Sequence, residues 1–96
     1  MAGMIAIVAP SSFDASFVAW DGVELAVASP EPHPPGARLD GTIDGLPLRL
    51  KATRCRRREA GAFLLVGKPL DLRRETRMHL EQLAAQGDPA LRVERW

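Results

Sequence analysis

The stretch Asp44-Gly45-Leu46-Pro47-Leu48-Arg49-Leu50-Lys51-Ala52-Thr53 decides the fold. Leu46, Leu48, Leu50 and Ala52 alternate with Pro47, Arg49, Lys51 and Thr53. Successive side chains of a strand point to opposite faces. A period of two therefore describes a strand with its apolar face inward and its basic face in water. Asp-Gly just ahead of it is a hairpin signal, because a tight two-residue turn needs positive φ at both central positions. Upstream, Arg38 to Ile43 has extended character, with Leu39 and Ile43 apolar.

Further toward the N-terminus, Val23, Leu25 and Val27 lie on one face of a strand, with Glu24 and Ala26 on the other. The segment Ser29 to Gly36 carries Pro30, Pro32, Pro34 and Pro35. These remove backbone donors and lock φ, so the segment is a surface loop. The apolar run Met4 to Ala9 holds the β-branched Ile5, Ile7 and Val8 and is a strand entering a core. Toward the C-terminus, the charged stretch Arg54 to Glu59 ends in a second turn at Ala60-Gly61. Phe63 to Val66 is a further short strand, Gly67 a bend or bulge, and Pro69 a strand end.

The character changes at Asp71. Good helix formers follow to Gln86, with Leu72, Thr76, Leu80, Leu83 and Ala84 in one apolar stripe. Asp71 is the candidate N-cap, and Gly87 with Pro89 ends the helix. A helix over about 72–86 is predicted. The tail 87–96 fits an extra strand, a helical turn or a frayed end equally. About six short strands cannot leave two long edges open without inviting association. The expectation is one domain over 1–96: a mainly β fold, a small antiparallel six-stranded β-barrel with one C-terminal α-helix.

Composition sets limits on function. The 96 residues are 46% hydrophobic and 26% charged, and 13 basic against 12 acidic side chains leave a net charge of +1. That balance argues against a chain that coats nucleic acid or an anionic membrane. Six apolar residues at the N-terminus are too few for a secretory segment or a membrane span, so a cytoplasmic location is expected. One cysteine, Cys55, excludes an internal disulfide and a Cys-only zinc site. His33 and His79 have no zinc-like spacing, Ser11 and Ser12 lack a nucleophile-elbow context, and there is no glycine-rich phosphate loop. No enzyme, metal or cofactor is expected. Lys51, Arg54, Arg56, Arg57 and Arg58 place five cations in eight positions. They suit a solvated outer strand, or an anion contact.

The order and punctuation of these segments resemble the PilZ domain, a bacterial cyclic di-GMP receptor module. Gly22-Val-Glu-Leu-Ala-Val through Pro34-Pro-Gly-Ala-Arg-Leu39 looks like that family's strand, proline loop and strand after its central glycine. Leu48-Arg-Leu-Lys-Ala-Thr-Arg-Cys-Arg-Arg57 and the following Arg58 look like its long basic strand, and Phe63 to Arg77 is similar to its closing strand and first helical turn. The resemblance covers about residues 17–84. PilZ receptors hold the dinucleotide with an N-terminal RxxxR and a [DN]xSxxG motif. Two arginines there supply charged bidentate forks for phosphate and guanine edges.

Here no arginine precedes Arg38, and with Gly22 as the family glycine the two polar positions are Phe17 and Ala19. In the other register, Asp14 and Ser16 are kept but the glycine position is Ala19. The resemblance therefore implies a degenerate PilZ-like adaptor that does not hold cyclic di-GMP by the usual site. It would act through protein–protein contact, in a process such as surface motility, pilus or polarity control. The alternative is a nucleotide receptor with a site rebuilt on Arg54, Arg56 and Arg58. Phe17 and Trp20 stand where the family keeps small polar groups. They either fill core volume or offer aromatic contacts to a protein partner. Trp96 is the third candidate contact, to this chain or to a second copy in a homodimer.

Overall fold

The computed structural model describes residues 3–58 and 61–86. At the hairpin, Asp44 and Gly45 have φ of 47° and 85°, the doubly left-handed turn that Asp-Gly favours. The turn joins β4 (Arg38–Ile43) to β5 (Leu46–Arg57), with Leu39 opposite Leu50 and Ile43 opposite Leu46. The other elements are β1 (Met4–Ala9), β2 (Phe13–Trp20), β3 (Leu25–Ser29), β6 (Phe63–Pro69) and α1 (Arg74–Gln86).

The six strands form a closed antiparallel barrel in the order β1-β2-β3-β6-β5-β4, so the expected architecture is the observed one. Closure occurs where β4 returns to β1, with Ile7 opposite Gly41. A Cβ on Gly41 would stand 2.0 Å from the Ala6 carbonyl oxygen. Only glycine lets these two backbones approach so closely. Register shifts at Val8, Val18 and Thr53 bend β1, β2 and β5, as bulges do in small barrels.

Inside, Ile5, Ile7, Leu25, Val27, Leu39, Ile43, Leu48, Leu50 and Leu65 pack with Leu80 and Leu83 of α1. The helix packs against β2 and β5, which are not neighbours in the barrel, so it crosses one end. Thr76 Oγ1 donates to the Pro47 carbonyl at 2.9 Å and fixes the helix against the start of β5. No described helix is long and apolar enough to cross a membrane.

Two local expectations are corrected. Val23 is not a strand residue: Asp21 Oδ1 accepts from the N–H groups of Val23 (2.8 Å) and Glu24 (2.7 Å), which makes a side-chain-capped turn. Val23 is left 60% exposed there, and β3 begins at Leu25. Asp71 is not the N-cap, because α1 starts at Arg74 and Asp71 turns back at φ 48° to pair with Arg49 at 3.5 Å. β5 runs through the basic stretch to Arg57, in line with the reading of that stretch as an outer strand. The end of the helix at Gly87, and the tail 87–96, lie outside the described residues.

Candidate functional site

The basic stretch lies on the outer wall. Cys55 sits opposite Leu65 and packs toward the core, so Arg54 and Arg56 face outward, opposite Val66 and Leu64. Val66 and Leu64 in turn sit opposite Ala26 and Ala28 of β3, and Ala26 opposite Ala19 of β2. Ala19, Ala26, Leu64 and Val66 form a second apolar cluster, on the outside of the sheet, with Val18 against it.

The bulge at Thr53 sets the edge of this face. Thr53 Oγ1 lies 3.1 Å from Glu24 Oε2 and 3.0 Å from the Val66 carbonyl, and its single proton serves one at a time. Arg54 Nη2 is 3.9 Å from Glu24 Oε1. Arg54 and Arg56 flank a hollow of about 50 Å³ floored by Cys55, Leu64 and Val66. Arg58 does not line it. Its N–H donates to the Ala62 carbonyl at 2.7 Å and closes the β5–β6 connection.

The positions matched to the PilZ ligand motif do not converge. Phe17 lies opposite Val27 and packs against the inner core, whereas Ala19 is 6% exposed in the outer cluster. The bulge at Val18 puts the two on opposite faces. Gly22 occupies the β2–β3 turn at φ 96° with nothing near its Cβ position. Of the aromatic contacts weighed for a partner, Trp20 is 8% exposed and belongs to the inner core. Its ring fills volume, as one of the two sequence readings has it, and is not offered to solvent. Its Nε1 has no hydrogen-bond partner among the described residues. Trp96 lies outside the described residues.

Two further arrangements were not singled out by the sequence. A groove of about 500 Å³ on the other side of the barrel is lined by Val8, Asp40, Thr42, Arg49, Asp71 and Arg73, among others. Arg49 spans it, donating to Asp40 Oδ1 at 3.1 Å and reaching Asp71 at 3.5 Å. The second is centred on the Asp44 carboxylate. It accepts from Gly3 N–H (2.6 Å) and Met4 N–H (2.9 Å), and His79 Nε2 lies 2.6 Å from Oδ2. Burial pushes the Asp44 pKa up, but the Gly3 N–H, His79 and the Met4 N–H together outweigh it and hold the carboxyl below 3.8. This carboxylate ties β1, the β4–β5 turn and α1 together.

The histidines are far apart in role. His79 holds Asp44, while His33 in the proline loop is buried and stacks on Phe13 with ring centres 5.1 Å apart. Among the described residues, no group of three or more His, Cys, Asp or Glu side chains is arranged to hold a metal ion. Comparison with protein-family models, with curated proteins and with solved structures finds no match to this chain.

Proposed function

We propose that this chain is a non-enzymatic, PilZ-like regulatory or adaptor domain that works by protein–protein contact, in a bacterial process such as motility or polarity control. The observation that carries the reading is the loss of ligand chemistry at the motif positions within a closed barrel. Phe17 is turned into the core and Ala19 into an apolar cluster, where a dinucleotide receptor needs polar groups on one face. The arginines that face outward border a hollow of only about 50 Å³. Small-molecule sites enclose roughly 300–1,000 Å³. The larger groove carries Asp40 and Asp71 beside an arginine they already engage, and two carboxylates repel phosphate. Calorimetric titration with cyclic di-GMP is expected to show no saturable heat; a clear binding isotherm would sink the proposal.

A second reading is favoured by one observation, the juxtaposition of Arg54 and Arg56 over an apolar floor. A planar guanine ring could lie between two such guanidinium groups. In that case guanine nucleotides raise the melting temperature, and Arg54→Ala with Arg56→Ala abolishes the rise. A melting temperature indifferent to guanine nucleotides removes this second reading.

A further inference from the structure

The groove of about 500 Å³ is floored by the outer face of β4 and β5, where Asp40 stands opposite Arg49. On the β1 side its wall is the bulge: Val8 is paired in neither ladder of that strand and is 67% exposed. On the β5 side its wall is the connection from β6 to α1, held where the Leu70 N–H donates to the Arg49 carbonyl at 2.8 Å. Four charged side chains line the groove, two of each sign. Arg49 is shared between Asp40 at 3.1 Å and Asp71 at 3.5 Å, whereas Arg73 is in no ion pair among the described residues. Both pairs are solvated, with Arg49 itself 59% exposed, and solvated pairs hold weakly. One guanidinium leaves lone pairs of two carboxylates unfilled. The acids therefore have capacity for a further cation, and Arg73 for an anion.

We propose that this groove docks an extended segment of a protein partner that bears a basic, an apolar and an acidic side chain on one face. The basic group joins Asp40 and Asp71, the acidic group joins Arg73, and the apolar one packs on Val8 and the exposed Pro47. Side chains two apart in an extended chain share a face, so alternate residues of the partner supply all three. Charge complementarity selects this occupant: a purely anionic ligand meets two carboxylates, and a purely cationic one meets Arg73. The groove is open to water, which suits a chain laid across it, whereas a small-molecule site encloses most of its ligand. The proposal rests on the adaptor reading and gives its partner a chemistry.

The test titrates capped pentapeptide pools into the isotope-labelled full chain and follows its backbone amide resonances. In the first pool Lys and Glu occupy the two ends, in either order, about a central Val. It is expected to shift the amides of Val8, Arg49 and Arg73 saturably. Control pools with Gln in place of Lys, or in place of Glu, are expected to bind about fivefold more weakly. The double variant Asp40→Asn, Asp71→Asn is expected to lose the preference for Lys while the buried Leu39 and Leu50 resonances stay in place. Asn suits the left-handed φ of 48° at Asp71. Groove amides unmoved by the first pool, or moved equally by the controls, overturn the proposal. So do groove amides that move with protein concentration alone, since a second copy then fills the site. The pools decide the matter on the unmodified chain even if the variant does not fold. Titration with cyclic di-GMP keeps the two readings apart. An isotherm there, beside a groove that responds to the first pool, sinks the adaptor reading and leaves a peptide-binding groove. An unmoved groove without such an isotherm sinks only the groove.

Discussion

Replacing Asp44 by Asn isolates the charge that joins β1, the hairpin turn and the helix. Asn-Gly suits the left-handed turn as well as Asp-Gly does, so the backbone at φ 47° is kept. What is lost is the carboxylate that receives two N–H groups at 2.6 and 2.9 Å and His79 at 2.6 Å. The turn backbone at Asp44 is exposed, but its side chain is 17% exposed, so screening is partial. Hydrogen bonds to a charged group contribute about 1.5–3 kcal/mol when sheltered, and less when solvent competes. The expected loss at neutral pH is therefore about 1.5 kcal/mol, or roughly 6–12 °C in melting temperature for a domain of this size.

The pH dependence follows from the sign of the shift. Asp44 is held below 3.8 in the folded chain, so its contribution is present in full above that value. It is lost as pH falls through the lowered folded value. Unfolding followed by circular dichroism, from neutral pH down past 3.8, should show the wild-type advantage over Asp44→Asn shrink and then vanish. An Asn variant as stable as wild type at neutral pH would refute the reasoning, as would a gap that ignores pH.

Two other substitutions probe the barrel itself. Trp20→Ala is expected to cost about 3–5 kcal/mol in urea unfolding, because the ring is core; a loss under about 1 kcal/mol would contradict that burial. Trp20→Phe should cost less, since it also removes an N–H buried without a partner. Gly41→Ala is expected to destabilise by about 3 kcal/mol or more, because its Cβ meets the Ala6 carbonyl at 2.0 Å and parts β1 from β4. Near-wild-type stability, read from chemical denaturation, would mean that the strands close differently.

Where local chemistry was decisive, the sequence was legible. Asp44-Gly45 marked the turn, and Leu46, Leu48, Leu50 and Ala52 marked the strand and its inner face, because turn angles and side-chain period are properties of neighbouring residues. The strand Phe13–Trp20 was hidden, since a bulge at Val18 breaks its alternation and sends Phe17 inward and Ala19 outward. Val23 read as a strand residue, but Asp21 captured the backbone first. The aromatic cluster was visible. Whether Trp20 faced the core or a partner was decided only by the packing of the inner core, which holds its ring.

The amino-acid order alone thus determined five of the six extended segments, one amphipathic helix and the need to close the sheet. Those features come from period, turn propensity and the penalty on open strand edges, which act over a few residues at a time. Only the tertiary structure decided which distant groups share a surface. Arg54 and Arg56 meet Val66 and Leu64, and Asp44 meets Gly3 and His79, because barrel closure and helix docking bring together residues 8 to 41 positions apart. No local pattern encodes such a meeting; it arises when one shared core forces all six strands and the helix into register.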